Sequence, residues 1–274
     1  MGIIKGIHHV NIKVPNVDEA IRFYCEGLGL TLKRQNDRGA VIATPDGVIL
    51  ELSGGGTAEW DRGGITHVCL NTWDVDAAFA RALEYGAVIS RSQDPEPYTY
   101  KDLRMAFVRT PSGEELEFWG IQKPDGDFGE PVAGGNYVKN FVHIALTVPD
   151  MYACVKFYEG LGAKLKVDWE WGCSMALPDG REFELFTEGE PVPEARAYSH
   201  MCLLTDNVEA ALEQVVALGG KVLREPYDWS NLRIAFAAGL AGETIEFFHM
   251  YRGGREADIF DAPPAPLPDL FARA

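Results

Sequence analysis

The stretch His8–Leu30, HHVNIKVPNVDEAIRFYCEGLGL, returns in altered form at His143–Leu165, HIALTVPDMYACVKFYEGLGAKL. In the first copy HHVNIKV alternates with the period of a strand, with Val10, Ile12 and Val14 on one face and His9, Asn11 and Lys13 on the other. PNVDEAIRFYCEGLG then sets Val17, Ala20, Ile21, Tyr24 and Leu28 at helical spacing. Asn16 or Asp18 is suited to cap that helix, and Gly27 and Gly29 to stop it. Three further strands are predicted near Leu30–Gln35, Ala40–Thr44 and Val48–Ser53, with TPDG turning between the last two.

The same order of elements occurs four times along the chain. The second module runs ITHVCLNT, the helix DVDAAFARALEYG, then Ala87–Ser90, Leu103–Arg109 and Glu115–Ile121, with the turn TPSG. The third starts at Phe141 and copies the first, and the fourth, YSHMCLLTDNVEAALEQVVALGGKV, copies the second. Residues 122–140 are rich in Gly, Pro and Asp without periodicity and read as a linker. Residues 252–274 read as a Pro-rich C-terminal tail, with Leu267, Leu270 and Phe271 as candidates for docking on the body. The predicted fold is α+β, two domains at 1–121 and 141–251, each of two βαβββ modules. One helix cannot cover the sheet face of its own module. Two modules side by side therefore give a curved eight-stranded sheet, helices outside and a cup inside.

Four residue types recur in one order in both halves: His9, Glu51, His67 and Glu117, then His143, Glu184, His200 and Glu246. Six histidines exist in the chain and four take part. Strand alternation puts these ligand candidates opposite the apolar set: His9 against Val10 and Ile12, Glu51 against Leu50 and Leu52, Glu117 against Leu116 and Phe118, Glu184 against Phe183 and Leu185, Glu246 against Ile245 and Phe247. A carboxylate on a mid-strand inner face is costly to bury unless something positive accepts it. Two imidazoles and two carboxylates form a ligand set for a first-row divalent metal, with Ni, Zn, Co, Mn and Fe(II) all compatible. Modules paired within each half give the two quartets as written; modules paired across halves mix His9 and Glu51 with His200 and Glu246, and His67 and Glu117 with His143 and Glu184. His8 and His249 alternate to the other face and read as structural. Trp119, Phe186 and Phe248 follow the inner-face glutamates by two residues, and Tyr98, Tyr100, Trp169 and Trp171 lie on connecting segments where pocket walls stand.

Composition narrows the function. The net charge of -16, without a basic cluster, speaks against nucleic acid. No apolar run reaches the ~18–20 residues of a membrane span, and the N-terminus lacks the pattern of a signal peptide. Five cysteines without CxxC spacing favour reduced thiols in a cytoplasmic protein. The expected partner is a small-molecule substrate, and the expected state a monomer or homodimer.

With the two openings quoted above and TPSG before ELEFW, the chain resembles the vicinal oxygen chelate superfamily, which includes glyoxalase I, extradiol dioxygenases and bleomycin-resistance proteins. The resemblance covers the four modules and implies metal ligands at the same eight positions. A His-Glu-His-Glu set is similar to that of glyoxalase I, whose resemblance implies a lyase or isomerase working on a 2-oxo or 2-hydroxycarbonyl compound, or its thiol adduct, through an enediolate. It also implies Glu117 or Glu246 as the catalytic proton carrier. Members that isomerise glutathione adducts carry an Arg on the first strand and an Asn after the first Glu, where this chain has Lys13 or Thr147 and Ser53-Gly54-Gly55-Gly56. Ring-cleaving members carry a His and a Tyr in the second module, where YTYKDLRMAFVRTPSG has no His and has Phe107; Phe236 stands at the matching place in the fourth. The alternatives are an Fe(II) or Mn(II) dioxygenase of extradiol type, and a metal-free protein that sequesters an apolar ligand.

Overall fold

The computed structural model describes residues 3–56, 64–90, 95–121, 137–169, 171–187 and 197–251. Most of the stretch read as a linker, and the whole tail with Leu267, Leu270 and Phe271, lie outside the described residues.

The first half opens with β1 (Ile4–Val14) and α1 (Val17–Ile21), and the side chain of Asn16 caps α1 by accepting from the N–H groups of Asp18 and Glu19. The helix then widens into a π-helical turn over Arg22–Gly27. FYCEGLG in the first module is one residue longer than FYEGLG in the third, and a single inserted residue between pinned ends is absorbed by one wide turn. The strands β2 (Thr31–Asn36), β3 (Gly39–Ala43) and β4 (Ile49–Gly54) complete the module. The second comprises β5 (Ile65–Thr72), α2 (Val75–Glu84), β6 (Val88–Ile89), β7 (Tyr98–Tyr100), β8 (Leu103–Arg109) and β9 (Glu115–Ile121).

The second half repeats this order. Its third module holds β10 (Val138–Val148), α3 (Met151–Leu161), β11 (Lys164–Trp169), β12 (Gly172–Ala176) and β13 (Glu182–Thr187). The fourth holds β14 (Tyr198–Thr205), α4 (Val208–Ala217), β15 (Lys221–Trp229), β16 (Leu232–Ala238) and β17 (Thr244–Met250). Asp74, Asp150 and Asn207 cap α2, α3 and α4 in the same way, each accepting from the backbone three residues on. Among the described residues no helix is long and apolar enough to cross a membrane.

The strands form two sheets, in the orders β2-β3-β4-β1-β5-β9-β8-β6 and β11-β12-β13-β10-β14-β17-β16-β15. β1 pairs antiparallel with β5, and β10 with β14, so modules join within each half. The first sheet has nine strands where eight were expected, because β7 also pairs with β8. Between Gly86 and Tyr98 the chain is four residues longer than between Gly219 and Tyr227, and it carries Pro95 and Pro97. One edge strand is thereby broken into β6 and β7. In the second sheet β15 stays whole and absorbs Pro226 where its register with β16 slips between Arg224 and Tyr227.

One continuous apolar core spans both halves, with Tyr24, Tyr158, Phe23, Phe118, Phe157, Phe183 and Phe247 fully buried in it. Across it the Tyr24 hydroxyl donates to Glu243 and the Tyr158 hydroxyl donates to Glu114 at 2.7 Å. These are repeat-matched pairs, each joining the first helix of one half to the last hairpin of the other. The turns TPDG and LPDG do more than reverse the chain. Asp46 accepts the Phe141 N–H and Asp179 accepts the Ile7 N–H, both at 3.0 Å, and Arg181 reaches both carboxylates at 2.8 and 2.7 Å.

Candidate functional site

The four central strands of each sheet bring the quartets together. In the first sheet Asn11 of β1 lies opposite both Glu51 of β4 and His67 of β5, and Cys69 lies opposite both His9 and Glu117 of β9. Residues level with one another across a sheet face the same way. Two rows, Glu51–Asn11–His67 and His9–Cys69–Glu117, therefore run side by side across the cup. The second sheet repeats them as Glu184–Ala145–His200 and His143–Cys202–Glu246.

Within each cup three donors converge. His9 Nε2 lies 3.2 Å from His67 Nε2, and Glu117 Oε2 lies 3.0 and 3.3 Å from the two imidazoles. In the second cup His143 and His200 Nε2 are 3.3 Å apart, with Glu246 Oε2 at 3.1 and 3.0 Å from them. The donor atoms of each trio lie within 4.8 Å of one another. Glu51 and Glu184 stand to one side, each facing a single imidazole, at 3.7 Å from His9 and 3.4 Å from His143. The eight residues singled out in the sequence thus form two trios with a fourth carboxylate beside each.

Burial sets the charges. The Glu117 carboxyl would be pushed up by burial, but His9 and His67 outweigh this and hold it well below the usual range. Glu246 is held down in the same way by His143 and His200. Burial lowers His143, but Glu184 and then Glu246 override it and raise its pKa to about 9. Burial and the neighbouring charge of Glu246 raise Glu184 to about 7, against the pull of His143. His9 is raised by Glu117 and Glu51 against burial, whereas burial keeps His200 below its ordinary value. Cys69 and Cys202, in the floor of the two cups, stay protonated because burial and the glutamates beside them push their thiols well up.

The sites differ in what surrounds the trio. Glu51 is 42% exposed and is held by Asn11 Nδ2 at 3.0 Å, while Glu184 is 13% exposed and has Ala145 in place of Asn11. Asn11 is itself fixed by Thr66 at 2.7 Å and Ser53 at 3.0 Å. Gly56 lies against β1, where a Cβ would meet the Lys13 carbonyl at 2.1 Å, so this part of the glycine run is required by close packing. Phe107 and Phe236 stand edge-on to His67 and His200, with ring centroids 5.6 and 5.3 Å apart.

His8 corrects the reading by alternation. Its Nδ1 lies 2.8 Å from His9 Nδ1 and its ring packs on Trp119 with centroids 3.8 Å apart. The pairing of β1 with β5 slips between Ile7 and His9, so consecutive histidines both reach the site region. Burial, then the neighbouring His9, lowers His8 to about 3 and keeps it neutral. The doubled His in HHVNIKV was the only signal for this. His249 is structural as expected, its Nδ1 facing the Thr205 carbonyl at 3.1 Å.

The second trio opens on a cavity of about 420 Å³ whose wall includes His143, Glu184, Glu246, Trp169, Trp229 and Phe248. That volume suits a small-molecule site. Trp169, Trp171 and Phe186 lie nearly parallel, within 14°, at centroid separations of 5.4 to 6.2 Å. Trp119 touches His8 and His9 in the first cup. Tyr98 and Tyr100 form β7 at the sheet edge, with Tyr100 exposed.

Comparison with known proteins agrees with this architecture. The profile of the Glyoxalase/Bleomycin resistance protein/Dioxygenase superfamily matches residues 6–118 and 140–248. The chain is 27% identical over 245 residues to the lactoylglutathione lyase GLX1 of Arabidopsis thaliana, covering 79% of this chain and 81% of that one. It is 28% identical over 120 residues to a probable lactoylglutathione lyase of Synechocystis, covering 40% of this chain and 90% of the relative. The fold matches a Mn(II)-bound glyoxalase from Novosphingobium aromaticivorans with a TM-score of 0.67 at 18% identity, covering 91% of this chain and 83% of that one. It matches homoprotocatechuate 2,3-dioxygenase from Arthrobacter globiformis with a TM-score of 0.68 at 17% identity, covering 93% and 83%.

Proposed function

The chain belongs to the Glyoxalase/Bleomycin resistance protein/Dioxygenase superfamily, and from that footing we propose that it is a metal-dependent lyase or isomerase of the glyoxalase I type. The observation that carries this reading is the buried His143–His200–Glu246 trio with Glu184 beside it on a cavity of about 420 Å³. The lyase names of its relatives support it.

Two imidazole nitrogens and a carboxylate oxygen in each buried trio suit a first-row divalent ion. His143, His200 and Glu246 would hold it in the second cup, and His9, His67 and Glu117 in the first, with Glu184 and Glu51 close enough to join. A bound divalent ion would supply Lewis acidity, polarising adjacent substrate oxygens and acidifying the C–H of the hydroxyl-bearing carbon.

The chain's own residues then divide the proton work. Glu246 touches both imidazoles of the trio, at 3.1 and 3.0 Å, whereas Glu184 faces His143 alone and lines the cavity. A carboxylate beside the ligands and open to the substrate is placed to carry a proton. Glu184 therefore takes a proton from one carbon of a 2-hydroxycarbonyl compound and returns it to the next. This moves the carrier's role from Glu246 to Glu184, leaving Glu246 and Glu117 as ligands. Phe248, Leu232 and Ile234 give the cavity that Glu184 lines an apolar wall.

The test is metal analysis of the purified protein, followed by incubation with a 2-oxoaldehyde and glutathione, or another thiol, in deuterated buffer. NMR should show a 2-hydroxyacyl thioester, formed by the metal-loaded protein and lost on chelation. Protein that retains no divalent ion, and whose turnover is unchanged by a chelator, would defeat the proposal. A dioxygenase is the second reading, favoured by the two-His, one-carboxylate trio. Its sign would be oxygen uptake with a catechol.

A further inference from the structure

The first histidine of each trio follows a slip in its strand. The ladder between β1 and β5 shifts between Ile7 and His9, and the ladder between β10 and β14 shifts between Phe141 and His143. Such an irregularity bends a strand and re-aims a side chain. The residue at the slip is His8 in the first half and Val142 in the second. Val142 joins the wall of the cavity of about 420 Å³. The His8 ring instead lies on Trp119 and sets its Nδ1 2.8 Å from the Nδ1 of His9.

The other imidazole of each trio is treated alike in the two halves. Thr66 Oγ1 stands 3.3 Å from His67 Nδ1, and Ser199 Oγ stands 3.1 Å from His200 Nδ1. The halves therefore part at the first histidine, where one offers an imidazole and the other an isopropyl group without a polar atom. A neutral imidazole carries one proton, and only the nitrogen without it can bind a metal. His9 Nε2 faces His67 Nε2 and the Glu117 carboxylate, so it can serve as a donor there only with the proton on Nδ1. His8 Nδ1 is in place to accept the hydrogen bond of that proton. Both rings are buried, so water does not compete for the contact. A carboxylate could accept the same proton but would add negative charge beside Glu51 and Glu117, whereas a neutral imidazole adds none. Trp119, packed against the His8 ring, restricts its rotation.

We propose that His8 is a positioning residue of the first site: its Nδ1 accepts from the His9 Nδ1–H, holds that ring with Nε2 toward His67 and Glu117, and tightens metal binding at this site alone. This rests on the metal-dependent reading above and gives a role to a residue outside the trio. Outer hydrogen bonds of this kind fix the tautomer and plane of a ligating ring, and are worth ~10–100-fold in metal affinity. The second half gives up the contact, and Val142 leaves the space to the cavity.

The experiment titrates the full chain with Zn²⁺ against a competing chromophoric chelator. The binding step that survives in His200→Ala belongs to the first site. His8→Phe keeps a ring for Trp119 but has no acceptor, and should weaken the first site ~10–100-fold while the second stays unchanged. His8→Asn, whose side-chain oxygen is as many bonds from the backbone as Nδ1, should stay within about threefold of the unaltered protein. In Zn²⁺-loaded protein with isotope-labelled histidine, NMR should show the His9 Nδ1 proton coupled to the His8 Nδ1 nitrogen. A smaller loss in His8→Phe, an equal loss in His8→Phe and His8→Asn, or an equal loss at both sites overturns the proposal while the metal reading stands. A His9 Nδ1 proton not shared with His8 overturns it as well, and this result decides by itself should His8→Phe fail to fold. Zn²⁺ held by the second site alone also overturns it. Failure to retain Zn²⁺ or any other divalent ion overturns the metal reading, and this proposal with it.

Discussion

Replacing His143 and Glu184 together by Gln should flatten the pH dependence of stability in the metal-free protein. His143 is buried between Glu184 at 3.4 Å and Glu246 at 3.1 Å, and they raise its pKa from the ordinary 6.5 to about 9. A folded-state pKa above the unfolded one gives stability that is fully present below the unfolded value and lost as pH rises through the folded value. Between those limits folding takes up one proton, and stability falls by about 1.4 kcal/mol per pH unit. From pH 7.0 to 8.5 that amounts to about 2 kcal/mol. Glu184, raised from 4.5 to about 7, adds a smaller loss of the same sign near the lower end. It must be replaced too, because beside a neutral Gln it would take up a proton in place of His143. Urea unfolding followed by circular dichroism, in chelator at both pH values, gives the two slopes. Ionisation of the five cysteines in the unfolded chain is common to both proteins and cancels. Equal losses of stability in the two proteins would refute the argument. Saturating divalent metal should also flatten the unaltered protein's slope, since a ligating imidazole carries no proton there.

Glu184→Gln should lower turnover by ~10²–10⁴-fold with metal content retained, whereas Glu51→Gln should change it little; steady-state kinetics beside elemental analysis separates the two. Asn11→Ala frees Glu51 and should weaken metal binding ~10–100-fold at the first site alone, since Ala145 already stands at the matching place in the second; a two-site titration reads this. Tyr158→Phe strands a buried oxygen of Glu114, whose other oxygen already lacks a partner, and should cost ~1–3 kcal/mol in denaturant unfolding with metal content unchanged.

Much of the architecture was legible because it depends on local periods. Alternation in HHVNIKV, helical spacing in VDEAIRFY and the repeated order of elements need only neighbours in the chain. The inner-face position of Glu117 follows from Leu116 and Phe118 on either side of it. Alternation failed at His8, where a slip in the ladder between β1 and β5 brings two consecutive residues toward one site. The extra residue in FYCEGLG was visible in the sequence, but its outcome as a π-helical turn was not. The clasp brings Asp46 to Arg181, 135 residues further along, and nothing local in the two turns marks that contact.

The sequence by itself determined four βαβββ modules and eight repeated His and Glu positions on inner sheet faces, because strand alternation and module order are written in neighbouring residues. Only the tertiary structure decided which modules join, since every module offers a similar strand edge and the choice is made by long-range pairing of β1 with β5 and β10 with β14. It also turned each quartet into a tight trio with a carboxylate beside it, because distances between side chains on four different strands depend on register and sheet curvature. The inequality of the cups belongs to the same level. Val142 and Phe248 leave open in one half the space that His8 and Trp119 narrow in the other, and that difference appears only when the rings are packed.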